Sequence, residues 1–332
     1  MKVLVIRFSA MGDVAMTSPV VAFVASQNPE IEFTVLTQDW LSAMYTPKDN
    51  LKVRGVNLKN YKGLKGLHRL FKELSGEGYD IVIDLHDVLR TKILRTFFLF
   101  KNTPIRVIDK GRKEKKALIK SGVKKQLKTT VERYRETFEK AGFHVELPMI
   151  RVQKQRSLPS EIESVSGKKE GKWYGVAPFA QHQGKKYPLN YAKRLIELLS
   201  KEENDRVFVF SGGGEEKQQV EEIIANIPNA IAVFGRVRIA GELALMSNLD
   251  CVVSMDSGAM HMASIVGTRC VSIWGATHPH AGFLGWLQLR DDAISLNKEC
   301  SPCSIYGNKP CKFGTYECMT EITPEMVASK VL

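Results

Sequence analysis

Two stretches of this chain set reactive residue types at short spacing. Residues 251–279 read CVVSMDSGAMHMASIVGTRCVSIWGATHP. Here Asp256, Ser257 and Gly258 make a polar turn, and His261 follows one helical turn later. Ser257 and Gly258 stand where a helix begins, so their N–H groups and the helix dipole favour an anion such as a diphosphate. The second stretch is Ser9-Ala10-Met11-Gly12-Asp13. Asp13, at or near a helix start, is either an N-cap or a carboxylate held at the mouth of a sheet. A single glycine there does not make the GxGxxG of a dinucleotide site, which disfavours a dehydrogenase. No Asp-x-Asp follows a strand to hold a metal–diphosphate.

The elements around these residues follow from hydrophobic periodicity. A strand at 251–254, a helix ending at Gly267 and a strand at 270–274 form a βαβ unit. Its polar turns fall at the C-terminal ends of parallel strands, where open α/β sheets bind ligands. The run KVLVIRF at 2–8 is a buried strand, followed by a helix over 14–26. Strands at 32–37, 52–56, 80–85 and 105–108 then alternate with helices near 40–45, 63–74, 88–100 and 130–141. A second series begins at Trp173, with strands at 173–179, 206–210 and 231–233 and helices at 190–199, 215–225 and 239–246. The triple glycine Gly212-Gly213-Gly214 ends one of these strands and would let backbone approach a ligand closely. This rhythm predicts parallel sheets covered on both faces. At 332 residues the chain predicts two domains: 1–155, a polar linker at 156–172, and 173–332.

Apolar content of 44% and charged content of 25% are those of a soluble globular protein. No signal-peptide core or apolar run of membrane-spanning length is present, so a cytoplasmic location is expected. The net charge of +12 is uneven: residues 1–155 hold 29 Lys/Arg against 16 Asp/Glu, and residues 156–332 hold 19 against 20. Residues 110–140 alone hold 12 against 4. Such an excess points to a polyanionic partner, whether nucleic acid, an anionic membrane surface or a phosphorylated substrate. Nucleic-acid binding is the remote alternative, because 110–128 interleaves no aromatic residue with its lysines. Cys300, Cys303, Cys311 and Cys318 have the spacing C-x2-C-x7-C-x6-C. That pattern is compatible with a structural zinc site or with four reduced thiols.

The segments VLVIRFSAMGDVAMTSP and DSGAMHMASIVGTRCVSIWGATHP resemble the signature regions of glycosyltransferase family 9, the ADP-heptose:lipopolysaccharide heptosyltransferase family. VIDLHDVLRTK (82–92), VERYRETF (131–138), GKKYP (184–188) and FSGGGEEK (210–217) extend the resemblance over nearly the whole chain. It implies a GT-B architecture: an N-terminal acceptor-side domain and a C-terminal nucleotide-sugar domain, both Rossmann-like, facing an interdomain cleft. It implies an inverting transfer with Asp13 as general base. Lys185, with Lys186 adjacent and the register open, would neutralise the leaving diphosphate. Asp256, Ser257, Gly258, His261, Gly275 and Thr277 would surround the donor's diphosphate and sugar, and Gly212, Gly213 and Glu242 its nucleoside. Ser9, Met11, Gly12, Arg90, Lys92 and Arg133 fall on the acceptor side. The resemblance implies ADP-heptose as donor substrate, no required cofactor or metal, and a phosphorylated lipopolysaccharide-core acceptor at the cytoplasmic membrane face. The enzyme is expected to be monomeric and peripheral to that membrane. The alternative is a family 9 transferase with another donor or acceptor.

Overall fold

The apolar run of the first strand, β1 (Lys2–Ile6), buries four of its five side chains, as a central parallel strand covered on both faces must. This computed structural model describes residues 1–121, 125–296 and 298–332. After β1 come α1 (Met11–Gln27), β2 (Glu32–Gln38), a 3₁₀ turn (Asp39–Met44), β3 (Leu51–Val56), a second 3₁₀ turn (Leu58–Tyr61) and α2 (Gly63–Ser75). Then follow β4 (Ile81–Asp84), α3 (Leu89–Leu99), β5 (Ile105–Val107), α4 (Arg112–Ser121), α5 (Thr130–Glu139) and α6 (Ser160–Ser166). The second series is β6 (Trp173–Ala177), α7 (Leu189–Leu199), β7 (Arg206–Val209), α8 (Glu215–Ile224), β8 (Ala230–Ala232) and α9 (Ile239–Met246). It ends with β9 (Cys251–Met255), α10 (Gly258–Ile265), β10 (Cys270–Trp274), β11 (Ala293–Ser295), α11 (Glu317–Thr320) and α12 (Pro324–Val331). Among the described residues no helix is long and apolar enough to cross a membrane.

The strands form two all-parallel sheets, ordered β3-β2-β1-β4-β5 and β11-β10-β9-β6-β7-β8. In the first, the chain steps outward from β1 through β2 to β3, then returns to lay β4 on the other flank of β1. In the second, it steps from β6 to β8 and returns to lay β9 against β6. Each reversal is a topological switch point, which opens a crevice at the strands' C-terminal ends. The loops after β1 and β4 border the first crevice, and those after β6 and β9 border the second.

The chain divides into two compact units, Met1–Lys110 with Thr130–Pro148, and Gly111–Thr129 with Met149–Leu332. The expected domains, 1–155 and 173–332, are a simpler division. Residues 152–156 pack on the end of α9, where Gln153 Nε2 donates to the Ser247 and Leu249 carbonyls and Asn248 Nδ2 to that of Arg156. The basic stretch expected to belong with the first sheet contributes α4 to the second unit. There Lys115 is buried with Nζ 4.2 Å from the Phe283 ring centre, and the Leu127 N–H donates to the His280 carbonyl. Residues 122–124 of that stretch lie outside the described residues.

Candidate active site

In the second unit, buried β9 runs into Asp256 and Ser257, and α10 opens at Gly258 with Ser257 as its N-cap. No side chain caps that helix end, so its first N–H groups and positive dipole stay available to an anion. Asp256 precedes the cap and is 5% exposed. Its Oδ2 takes Lys185 Nζ at 3.1 Å, so the carboxylate orients a lysine. The adjacent Lys186 is exposed, which leaves Lys185 as the lysine aimed at α10. His261 is buried one turn into α10. The helix stops at Gly267, whose φ of +79° suits glycine alone; a Cβ there would meet the Val152 carbonyl oxygen at 2.1 Å.

Lys185 is held from several directions. It ends a 3₁₀ turn (Gln183–Lys185), and Tyr187 behind it is buried with its hydroxyl on the Ile322 carbonyl at 2.7 Å. The Ala276 N–H donates to the Gly184 carbonyl at 2.9 Å, joining the lysine loop to the one after β10. Residues 301–307 wrap both loops: Ser301 Oγ donates to the Gly275 carbonyl, and the Cys303 and Ser304 N–H groups share that of Ala276. Gly307, at φ +76°, lies against the Lys185 stem, where a Cβ would be 2.5 Å from Cγ. Thr277, fully buried beside this wall, has no hydrogen-bond partner for Oγ1 among the described residues. Buried hydroxyls are ordinarily satisfied, so this one is available to a bound ligand.

On the flank of the same sheet, the Gly212 N–H donates to Glu216 Oε2 at 2.7 Å, and Gly213 faces the Phe234 ring. A turn whose amide already holds a carboxylate suits an uncharged nucleoside better than a phosphate. Glu242 on α9 is largely buried, and that burial raises its pKa to about 7.

In the first unit, α1 begins at Met11, three residues earlier than its apolar pattern predicts, with Ala10 as N-cap. Asp13 is therefore inside the first turn, and its side chain caps nothing. Its Oδ2 meets Arg7 Nη2 at 2.5 Å. Arg7 itself is 4% exposed and spends Nη1 on the Leu85 carbonyl, also at 2.5 Å. Asp13 remains 31% exposed, so the pair presents one carboxylate outward from a fixed, buried cation. Ser9, Met11 and Gly12 are partly exposed along the same loop. Nearby His86, after β4, is buried with Nδ1 unpartnered among the described residues. Burial, reinforced by Arg7 and Lys110, drives its pKa down to about 3.

Arg90 and Lys92 are exposed at the start of α3, with Lys92 Nζ 3.8 Å from Asp87. Arg133 differs from both: it is 3% exposed, with Nη1 3.4 Å from the Asp109 carbonyl oxygen and 3.8 Å from its Oδ2. The four spaced cysteines are free thiols, Cys300 exposed, Cys303 and Cys311 half-buried and Cys318 buried. Among the described residues no three His, Cys, Asp or Glu side chains gather as metal ligands.

A family model described as glycosyltransferase family 9 (heptosyltransferase) matches residues 67–316. The chain belongs to glycosyltransferase family 9. It is similar to lipopolysaccharide heptosyltransferase 1 of Pseudomonas aeruginosa, 23% identical over 363 residues that span 100% of this chain and 97% of the relative. Among solved structures, the family 9 glycosyl transferase of Veillonella parvula superposes with a TM-score of 0.73 at 18% identity, covering 99% of this chain and 95% of that one. The ADP-heptose lps heptosyltransferase II of E. coli superposes at 0.68 and 19%, covering 99% and 97%. The two parallel sheets have the GT-B fold of these family 9 structures, as the sequence resemblance implied. Within this family 9 chain, Asp13 and the 251–279 stretch were visible as motifs. Arg7 and His86 lie inside matched segments but show no role there, and the 301–307 wall shows none at all, since a charged residue ending an apolar strand and an irregular loop carry no periodic signal.

Proposed function

We propose that this family 9 enzyme is an inverting, metal-independent transferase that moves heptose from ADP-heptose to the phosphorylated, lipid-linked core of lipopolysaccharide at the cytoplasmic membrane face. The observation that carries this reading is Lys185, fixed by Asp256 beside the uncapped start of α10. A lysine and a helix N-terminus together supply the positive field that a departing diphosphate needs, and which a metal ion would otherwise provide. The donor is drawn from the P. aeruginosa and E. coli relatives named above, which are named for heptose transfer.

In the proposed reaction the acceptor hydroxyl gives its proton to the Asp13 carboxylate as its oxygen bonds to the anomeric carbon. The bond from that carbon to the β-phosphate oxygen breaks, and its electron pair leaves on the diphosphate. Attack and departure on opposite faces invert the centre. Lys185 and the Ser257 and Gly258 N–H groups receive the growing charge, with His261, Gly275 and Thr277 completing the phosphate side. Glu242, largely buried in the first turn of α9, accepts hydrogen bonds from ribose hydroxyls. Ser9, Met11 and Gly12 shape the floor under the acceptor, and Arg90 and Lys92 meet its phosphates. Arg133 acts through Asp109.

The deciding experiment incubates the protein, in EDTA, with a panel of ADP-, GDP- and UDP-sugars and a heptose-free lipopolysaccharide core. One heptose mass added from ADP-heptose alone is the expected result. Transfer from a different nucleotide sugar overturns the donor assignment, and activity that EDTA abolishes overturns metal independence.

A further inference from the structure

The outward faces of α2 and α3 display four large apolar side chains that the core does not use. Leu64 is 63% exposed, Leu89 75% and Leu99 52%, and Phe100, which follows α3, is 81% exposed. Leu67, Leu70, Phe71 and Leu74 of α2 and Leu94 and Phe98 of α3 already supply the buried sides of these helices. The two helices pack side by side, with the His68 and Phe97 ring centres 5.3 Å apart. From Leu89 to Phe100 the exposed residues run about 16 Å along α3, at ~1.5 Å per residue.

The charge around them has one sign. Residues 57–76 hold five Lys/Arg and one carboxylate, and residues 88–103 hold four and none. The one carboxylate, Glu73, is taken by Arg54 and by the Tyr61 hydroxyl. Lys62, Lys65 and Lys72 are exposed and pair with no carboxylate among the described residues. We propose that this α2–α3 face docks on an anionic phospholipid bilayer. The four apolar side chains enter the boundary between headgroups and acyl chains, and the lysines lie among the lipid phosphates.

Aliphatic groups beside lysines are what an interfacial helix needs. Nucleic acid would want aromatic planes for stacking, and three of the four exposed groups are leucines. A second copy meeting face to face would bring cation against cation. The α4 stretch is a poorer candidate, because its Leu118 is buried and its Lys115 is turned inward on Phe283. The inference rests on the proposed action at a membrane face and deepens it by naming the surface that meets the bilayer; lipid binding itself requires neither donor nor acceptor, so the two can fail separately.

The test is co-sedimentation of the full chain with vesicles free of lipopolysaccharide. Binding is expected with phosphatidylcholine–phosphatidylglycerol vesicles and not with phosphatidylcholine alone. Each surface lysine contributes about fivefold, so Lys62→Gln, Lys65→Gln and Lys72→Gln together should weaken binding about a hundredfold. Removing the same charge as Lys113→Gln, Lys116→Gln and Lys120→Gln should cost less than about fivefold. Leu64→Ser with Leu89→Ser and Phe100→Ser should abolish the binding that survives high salt. Equal losses from the two lysine sets would reduce the face to diffuse charge and overturn the proposal. So would binding only when lipid A is added, or a sedimentation coefficient showing that the serine variant breaks a dimer.

Discussion

Arg7 uses its guanidinium twice, on Asp13 and on the Leu85 carbonyl, and so ties the loop after β1 to the loop after β4. Removing one partner of a buried ion pair costs about 3–5 kcal/mol. Arg7→Gln should therefore lower the urea-unfolding free energy by roughly that amount, reduced because Asp13 is partly solvated. Asp13→Asn should lower kcat about 10²–10⁴-fold with ADP affinity within a few-fold; near-normal turnover would remove it as the base. His86 gives a pH signature. Its folded pKa of about 3 lies below the ordinary 6.5, so the unfolded chain takes up a proton that the folded chain refuses. The contribution to stability is full above pH 6.5 and is lost as the pH falls toward 3, by at most ~1.4 kcal/mol per unit. His86→Gln should flatten that fall in urea titrations, and an unchanged slope would assign it to the carboxylates. Asp13 was legible because a carboxylate after Gly12 stands out, whereas its cation is recognised only once two loops are folded together.

At the scale of elements, the 301–307 wall fixes the lysine loop without being a helix or a strand. Gly307→Ala would strain a left-handed residue and drive a methyl into the Lys185 stem. ADP affinity should drop tenfold or more by calorimetry, a loss of about 1.4 kcal/mol, while Lys186→Ala should leave it unchanged. If both variants bind normally, the wall does not seat the lysine. Glu242 adds a second readout: its burial-raised pKa of about 7 means that the carboxylate gains acceptor strength as pH rises through neutrality. ADP affinity should climb across that range and stay flat in Glu242→Gln. The alternation of strands and helices was readable through β10, because each element repeats an apolar period over several residues. Helices α4 and α6 were not: six of the ten residues of α4 are Lys, Arg or Glu and they mask the stripe that buries Leu118, and α6 lies in the polar stretch expected as a linker.

At the scale of the molecule, the sequence expectation placed the positive charge in the N-terminal half, but the fold redistributes it. The first unit holds 19 Lys/Arg and 15 Asp/Glu, and the second 29 and 21, because α4 and its flanks belong with the second sheet. Gly282, at φ +83°, sits under that excursion, and a Cβ there would be 2.6 Å from the Lys128 carbonyl oxygen. Gly282→Ala should loosen residues 125–129 first, seen as faster amide exchange there than at β9. The division also decides when each unit can finish folding. The first unit is closed by bonds between Gln27 and Glu146 and between Asn28 and His144, more than a hundred residues apart. Such distant pairings form late. On the ribosome, the unit bearing Asp13 therefore stays unfinished until the chain has already laid down α4, a piece of the other unit. For that interval the lysine-rich helix has no Phe283 to pack against, and the nascent chain carries its most basic segment exposed beside an unfinished core.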